Sequence, residues 1–174
     1  MKTLLLLRHA KSSRKDATLP DHDRPLNDRG RRDAPQMGRL LAEQGLVPDL
    51  VVSSTARRAR KTAENVAEES GYIGAIDAVG ALYLAAPETI ARAIRVLPDE
   101  SARVLVVGHN PGLEELLEQV IGRYERLPTA ALVHLELEID RWQDFNPQSG
   151  GQLAHLWRPK ELWPEAVAAN GAEE

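Results

Sequence analysis

Lys2-Thr3-Leu4-Leu5-Leu6-Leu7-Arg8-His9 is an apolar run that stops abruptly at a charged pair. Its leucines are consecutive rather than alternating, as in a strand covered by helices on both faces. A buried strand ending at Arg8-His9 puts that pair at a sheet edge, where open α/β proteins bind ligands. Two more runs have the same character. Residues 49–53 (DLVVS) lead into Ser53-Ser54, with Arg58 just inside the next helix, and residues 103–107 (RVLVV) lead into Gly108-His109-Asn110. If the three strands are parallel neighbours, two histidines and two arginines meet at one edge.

The intervening segments read mainly as helices. Asn27 is placed to cap a helix running to about Gly45, with Ala34, Met37, Leu40 and Leu41 at helical spacing. Pro35 inside that span marks a kink or a late helix start. Residues 10–27 are polar and read as a loop. A second helix covers about 56–70 and closes at Gly71; Pro87 opens a third, running to Val96. Asn110-Pro111-Gly112 opens a fourth, with Leu113, Leu116, Leu117 and Val120 on one face. Residues 73–79 are a weaker strand candidate. Residues 131–139 alternate as a strand with one wet face, and 153–157 pair with them across a 148–151 turn. The tail after Pro164 reads as frayed. This order predicts a three-layer α/β/α sandwich with a mostly parallel central sheet and an antiparallel edge, as a single domain over 1–174.

Composition narrows the function. The chain of 174 residues is 43% hydrophobic, carries a net charge of −4 and has no cysteine. That excludes disulfides, thiolate metal sites and cysteine nucleophiles. Nothing suggests a nucleic-acid-binding face, and the leucine run is too short for a signal peptide or membrane span. The expected location is the cytoplasm.

The chemistry follows from the residue types gathered at the strand ends. Two histidines alone suggest a metal, but two arginines would repel one, and no carboxylate is tied to the set. Arginines bind phosphate or carboxylate through forked donors. Histidines in an anion pocket suggest phosphoryl transfer to an imidazole nitrogen, which must be neutral to attack. Arg57, Arg60 and Lys61 read as a solvated helix face, and His22, His134 and His155 as ordinary structural or surface histidines.

The motifs resemble those of the histidine phosphatase superfamily. Leu6-Leu7-Arg8-His9-Ala10-Lys11-Ser12 is similar to the nucleophile signature in its SixA-type form, in which alanine replaces the usual glycine after the histidine. Asp23-Arg24-Pro25-Leu26-Asn27, Arg29-Gly30, Ser53-Ser54 through Arg58-Ala59, Thr62-Ala63, residues 106–112 (VVGHNPG) and residues 157–160 (WRPK) also match that branch. Thr55 departs from the proline common at its position. The resemblance implies a phosphoglycerate mutase-like fold, His9 as nucleophile, and Arg8, Arg58 and His109 as phosphate-binding catalytic partners, without cofactor or metal. It does not assign Arg57 or Arg60 a role. For the general acid, Glu88, the nearest acid after the Leu82-Tyr83 landmark, is the candidate, and Asp23, in the loop after the nucleophile, is the second. The short interval from Arg58 to His109 lacks the insertions that lid the mutases. An unlidded site points to a phosphohistidine-bearing protein, such as a phosphotransfer domain of signalling or sugar transport. A small phosphate ester as substrate and a non-catalytic phosphate-binding adaptor are the alternatives.

Overall fold

The three apolar runs form adjacent parallel strands at the centre of one six-stranded sheet. The computed structural model describes residues 1–164; the frayed tail expected after Pro164 lies outside the described residues. The strands are β1 (Lys2–Arg8), β2 (Leu50–Ser54), β3 (Ile76–Val79), β4 (Arg103–Gly108), β5 (Leu132–Leu137) and β6 (Gln152–Trp157), in spatial order β3-β2-β4-β1-β5-β6. Strands β1 to β4 are parallel, with β4 between β2 and β1, so that Leu4 pairs with Val104 and Arg8 with Gly108. β5 runs antiparallel to β1, and β6 antiparallel to β5, giving the expected edge.

The unbroken leucine run is explained by helices on both sheet faces. Leu4, Leu6, Val104 and Val106 pack on one side with Ile90 and Ile94 of α3 (Pro87–Arg95) and Leu113 and Leu116 of α4 (Gly112–Ile121). Leu5, Leu7, Leu105 and Val107 pack on the other with Met37 and Leu41 of α1 (Asp28–Glu43) and Ala63 and Val66 of α2 (Arg57–Ser70). Each fully buried leucine contributes about 1.5–3 kcal/mol of transfer free energy. The short α5 (Pro159–Leu162) follows β6.

Helix boundaries follow local chemistry. The Asn27 side chain accepts from the Gly30 N–H at 2.9 Å and starts α1 at Asp28, so Pro35 lies within the helix and does not delay it. Gly71, at φ 83°, closes α2 in the left-handed region. The segment between β5 and β6 departs from the simple turn expected. It holds two 3-10 turns, Trp142–Asp144 and Pro147–Ser149, and fully buries Trp142, whose Nε1 donates to the Ser101 carbonyl at 2.7 Å. One tryptophan among polar residues carries no periodicity, so nothing in the sequence marks it as core.

The loop joining β1 to α1 is held close against the first turn of α1. A Cβ built on Gly30 would lie 2.1 Å from the Lys11 carbonyl oxygen, which also accepts from the Asn27 N–H at 3.0 Å. Backbone cannot yield as a flexible side chain would, so Gly30→Ala forces this loop away from the helix. The expected result is a loss of about 1–3 kcal/mol in urea unfolding together with lowered turnover. Unchanged stability and activity would show that the loop is free to shift.

Candidate active site

The carboxyl ends of β1, β2 and β4 bring Arg8, His9, Ser54 and His109 to one edge, and the first turn of α2 adds Arg58. The His9 and His109 ring centroids are 5.1 Å apart, tilted by 54°. Both rings and Arg58 are buried, while Arg8 is half-buried.

Hydrogen bonds define both tautomers. His9 Nδ1 lies 2.7 Å from the Ala10 carbonyl, which can only accept, so Nδ1 carries the proton. The Nε2 lone pair then faces the site, where Arg58 Nε donates to it over a long 3.3 Å. His109 Nδ1 accepts from Arg58 Nη2 at 3.4 Å, and its Nε2 donates to Ser54 Oγ at 2.7 Å. Burial is the main cause that pushes His9 down to about 3; the neighbouring His109 ring, when protonated, and the cations Arg58 and Arg8 add to it, against the Ala10 bond. Burial first, then Arg58, pushes His109 down to about 4, partly offset by Asp21. Both imidazoles are therefore neutral at neutral pH, and His9 offers a free-base nitrogen beside a guanidinium.

The arginines are held from behind. Arg8 Nη1 donates to the Leu127 carbonyl at 3.0 Å, while its Nε is buried without a hydrogen-bond partner. The Asn110 side chain donates to the same carbonyl at 2.8 Å. The nucleophile loop is tied to α2, because Ala10 N–H donates to Thr62 Oγ1 at 3.0 Å and that hydroxyl donates to the Arg58 carbonyl at 2.7 Å.

Asp21 closes the cluster from the loop side. Arg58 Nη2 donates to its carboxylate at 3.0 Å, and Arg58 Nη1 to its carbonyl at 2.8 Å. The Tyr83 hydroxyl donates a short hydrogen bond to the same carboxylate oxygen. The Tyr83 hydroxyl is the main cause that holds this carboxyl well below the usual carboxylate range; burial opposes it, and Arg58 and Arg24 add to the lowering. Tyr83 also stands edge-on to His109, with centroids 5.5 Å apart. Among the described residues, no group of three or more histidines and carboxylates is arranged to hold a metal ion.

Comparison with known proteins places this geometry in a family. Residues 4–81 match the histidine phosphatase superfamily (branch 1). An uncharacterized chloroplastic protein of Arabidopsis thaliana is 32% identical over 157 residues, covering 84% of this chain and 72% of that protein. An uncharacterized Mycobacterium tuberculosis protein is 34% identical over 152 residues, covering 81% of this chain and 92% of its own. A crystal structure from Agrobacterium tumefaciens, assigned as the phosphohistidine phosphatase SixA, superposes with a TM-score of 0.78 at 30% identity, covering 91% of this chain and 98% of that one. The chain belongs to the histidine phosphatase superfamily. A protein histidine phosphatase SixA solved with tungstate shares the fold, with a TM-score of 0.78 at 21% identity over 92% and 99% of the two chains. Family membership and the SixA neighbours support phosphatase activity.

In this member of the superfamily the two acids expected from sequence point elsewhere. Glu88 sits in the first turn of α3, exposed, and pairs with Arg95 at 3.1 Å and Arg92 at 3.7 Å. Asp23 faces His22, at 3.5 Å. Asp21, two residues earlier, is the carboxylate that reaches Arg58. The 3-10 turn Asp21–Asp23 sends the two acids in different directions, and the string Asp-His-Asp does not say which turns inward. His22 differs from its plain surface reading: its Nε2 lies 2.9 Å from Thr55 Oγ1, and its ring meets Tyr83 edge-on. His134 fits its structural reading, packed on β5 with Glu136 at 2.5 Å and stacked on Trp157.

Two outcomes follow from this geometry. Both histidines have depressed folded-state pKa values, so the unfolded chain binds more protons between about pH 6.5 and 3. Their contribution to stability is complete above about pH 6.5 and is lost as pH falls towards 3. Imidazole NMR signals of His9 and His109 should stay in the neutral form at pH 5, and titration of either near 6.5 would refute the buried, arginine-flanked environment. Arg58→Lys keeps the charge but loses the Nε contact to His9 and the fork on Asp21. It should lower turnover by about one to two decades. Arg57→Lys, one position away on the exposed face of α2, should leave turnover unchanged; equal losses would mean that the wrong arginine has been assigned.

Proposed function

We propose that this chain removes the phosphoryl group from phosphohistidine on a protein, through a phosphohistidine intermediate on His9. The observation that carries the reading is the His9 tautomer: Nδ1–H is committed to the Ala10 carbonyl, leaving Nε2 as an uncharged nucleophile among two arginines and His109. In this mechanism Nε2 attacks phosphorus as the P–N bond to the substrate imidazole breaks. Arg8, Arg58 and His109 hold the phosphoryl oxygens, and the departing imidazole takes up a proton from solvent at the open mouth of the site. Water then attacks the phosphorus on His9, releasing inorganic phosphate and regenerating the imidazole. Arg8 Nε, a buried donor without a partner, supports an acceptor at this place. His109 is neutral in the free site, and the negative charge of a bound phosphoryl group favours its protonated, donating form.

Two features support a phosphoramidate over an alkyl ester. An alkoxide leaving group needs a proton held ready, whereas imidazole leaves more easily. Asp21, the carboxylate paired with Arg58, is held ionised by Tyr83 and Arg58. The interval between Arg58 and His109 is occupied by α2, β3, α3 and β4, with a short 3-10 turn at Gly80–Leu82, and has no long insertion to enclose a small ligand. The arginines take the part that a divalent metal plays in other phosphoryl transfers, so the reaction proposed needs no metal.

The deciding experiment uses a phosphotransfer domain labelled on histidine with phosphorus-32. The wild type should release phosphate at an unchanged rate in a chelator and pass through an acid-labile labelled intermediate. Folded His9→Ala should show neither label nor turnover. The kcat/KM for this domain should exceed that for a panel of sugar and nucleotide monophosphates. Preference for an alkyl phosphate would replace the protein substrate with a small ester and leave the His9 chemistry standing; strict dependence on a divalent ion would remove the mechanism.

A further inference from the structure

The first turns of α1 and α2 lie at the same sheet edge as His9, because each helix follows a strand whose carboxyl end is at that edge. Between them is a groove on the outer side of the nucleophile loop. Pro25 and Leu26 line it on the loop side, and Arg31, Arg57, Arg60 and Lys61 line it on the helix side. Glu64 is the acidic residue of the lining and pairs with Lys61 at 3.4 Å. Arg31 is held by Asp28 and by the Leu26 carbonyl. Arg57 and Arg60 are exposed and have no hydrogen-bond or ion-pair partner among the described residues. Two bare guanidinium groups therefore project beside a site whose neighbouring residue, Arg58, is buried against His9.

This concentration of positive charge stands out on a chain of net charge −4. Unpaired arginines on one helix repel each other, so helix stability does not explain them. Nor does the chemistry, since Arg58 turns inward on the other face of α2. An acidic surface would satisfy both, because guanidinium groups fork onto carboxylates and lose little hydration in doing so. The donors at the strand ends, Arg8, Arg58 and His109, are those the proposed reaction uses on the phosphoryl group, so a protein substrate gains a further hold from contacts outside them.

We infer that the groove between the first turns of α1 and α2 is the docking surface for an acidic face of the phosphohistidine-bearing protein, with Arg57 and Arg60 as its main contacts. This rests on the proposed function and names where its substrate binds. Contacts so far from phosphorus act equally on bound substrate and transition state. They lower KM and speed association, and leave kcat alone.

The test compares wild type, Arg57→Glu/Arg60→Glu and Arg57→Lys/Arg60→Lys. The substrates are an acidic histidine-phosphorylated phosphotransfer domain and free phosphohistidine. Charge reversal should reduce kcat/KM for the domain about tenfold or more at low ionic strength, through KM, and flatten its dependence on salt. Turnover of free phosphohistidine should not change, and the lysine pair, which keeps the charge but not the forks, should lose less on the domain than charge reversal does. Circular dichroism melting establishes that each variant is folded. If the domain is cleaved equally well by all three enzymes, the docking surface is wrong and the proposed function stands. If both substrates suffer alike, the arginines belong to the catalytic pocket and the docking role is refuted. If wild type cleaves free phosphohistidine or small esters but not the domain, the protein-substrate reading falls and takes the docking surface with it.

Discussion

The hydrogen bond from His9 Nδ1 to the carbonyl of Ala10 is the constraint on which the rest of the site depends. A neutral imidazole has one donor and one acceptor nitrogen, and a carbonyl accepts from the first. Which nitrogen faces the pocket is therefore decided by the direction of one peptide group. The peptide before it is braced through the Ala10 N–H by Thr62, and the next carbonyl, of Lys11, is held by Asn27 and pressed against Gly30. Thr62 in turn donates to the carbonyl of Arg58. The helices that cover one face of the sheet thus orient the loop, the loop selects the tautomer, and the tautomer turns the Nε2 lone pair to the site.

Charge balance in the pocket works to the same end. Two guanidinium groups and two imidazoles share a small buried volume, and protonating either ring there would add a third cation. Burial and the arginines keep both rings neutral, which preserves the lone pair that a protonated His9 would lack. Asp21 supplies the opposing charge on the Arg58 fork. A phosphoryl dianion brings a larger negative charge to the same donors, so it competes with Asp21 rather than entering an unpaired site. Tyr83 holds the carboxylate through its hydroxyl and the His109 ring through its edge, linking the loop over the site to both groups beneath it.

Much of this was legible in the chain because some residues obey strong physical rules. Four leucines in a row fit only a strand covered on both faces, and β1 is so covered. The meeting of Arg8, His9, Arg58 and His109 was legible on the condition that the three strands are parallel neighbours, and β1, β4 and β2 are. Asp21 was not legible. Its direction depends on one 3-10 turn, and the sequence pointed to Glu88 first and Asp23 second. Glu88 was suggested by its distance along the chain from Leu82-Tyr83, but a carboxylate in the first turn of a helix bearing Arg92 and Arg95 on the same side finds partners there. Trp142 escaped for another reason: core burial by one large side chain in an irregular segment leaves no periodic trace. Gly30 was recognised in a motif, yet its cause, a carbonyl where a Cβ would be, exists only in three dimensions.

If the group transferred is the phosphoryl of a phosphohistidine, as proposed, the donors at the strand ends meet only its oxygens and the leaving nitrogen, and these are identical in every phosphohistidine. Discrimination among proteins that carry one must therefore come from contacts outside the reacting atoms. Enlarging the pocket would not supply it, because deeper enclosure of a side chain still reads only that side chain. Surface charge does, since it differs between proteins, acts over about a Debye length and rejects partners of the wrong sign. The geometry of α2 suits such a division of labour: one turn presents Arg58 to the chemistry and Arg57 and Arg60 to solvent. Substitutions on its outer face can then change which partner is preferred without disturbing the buried arginine that the reaction uses.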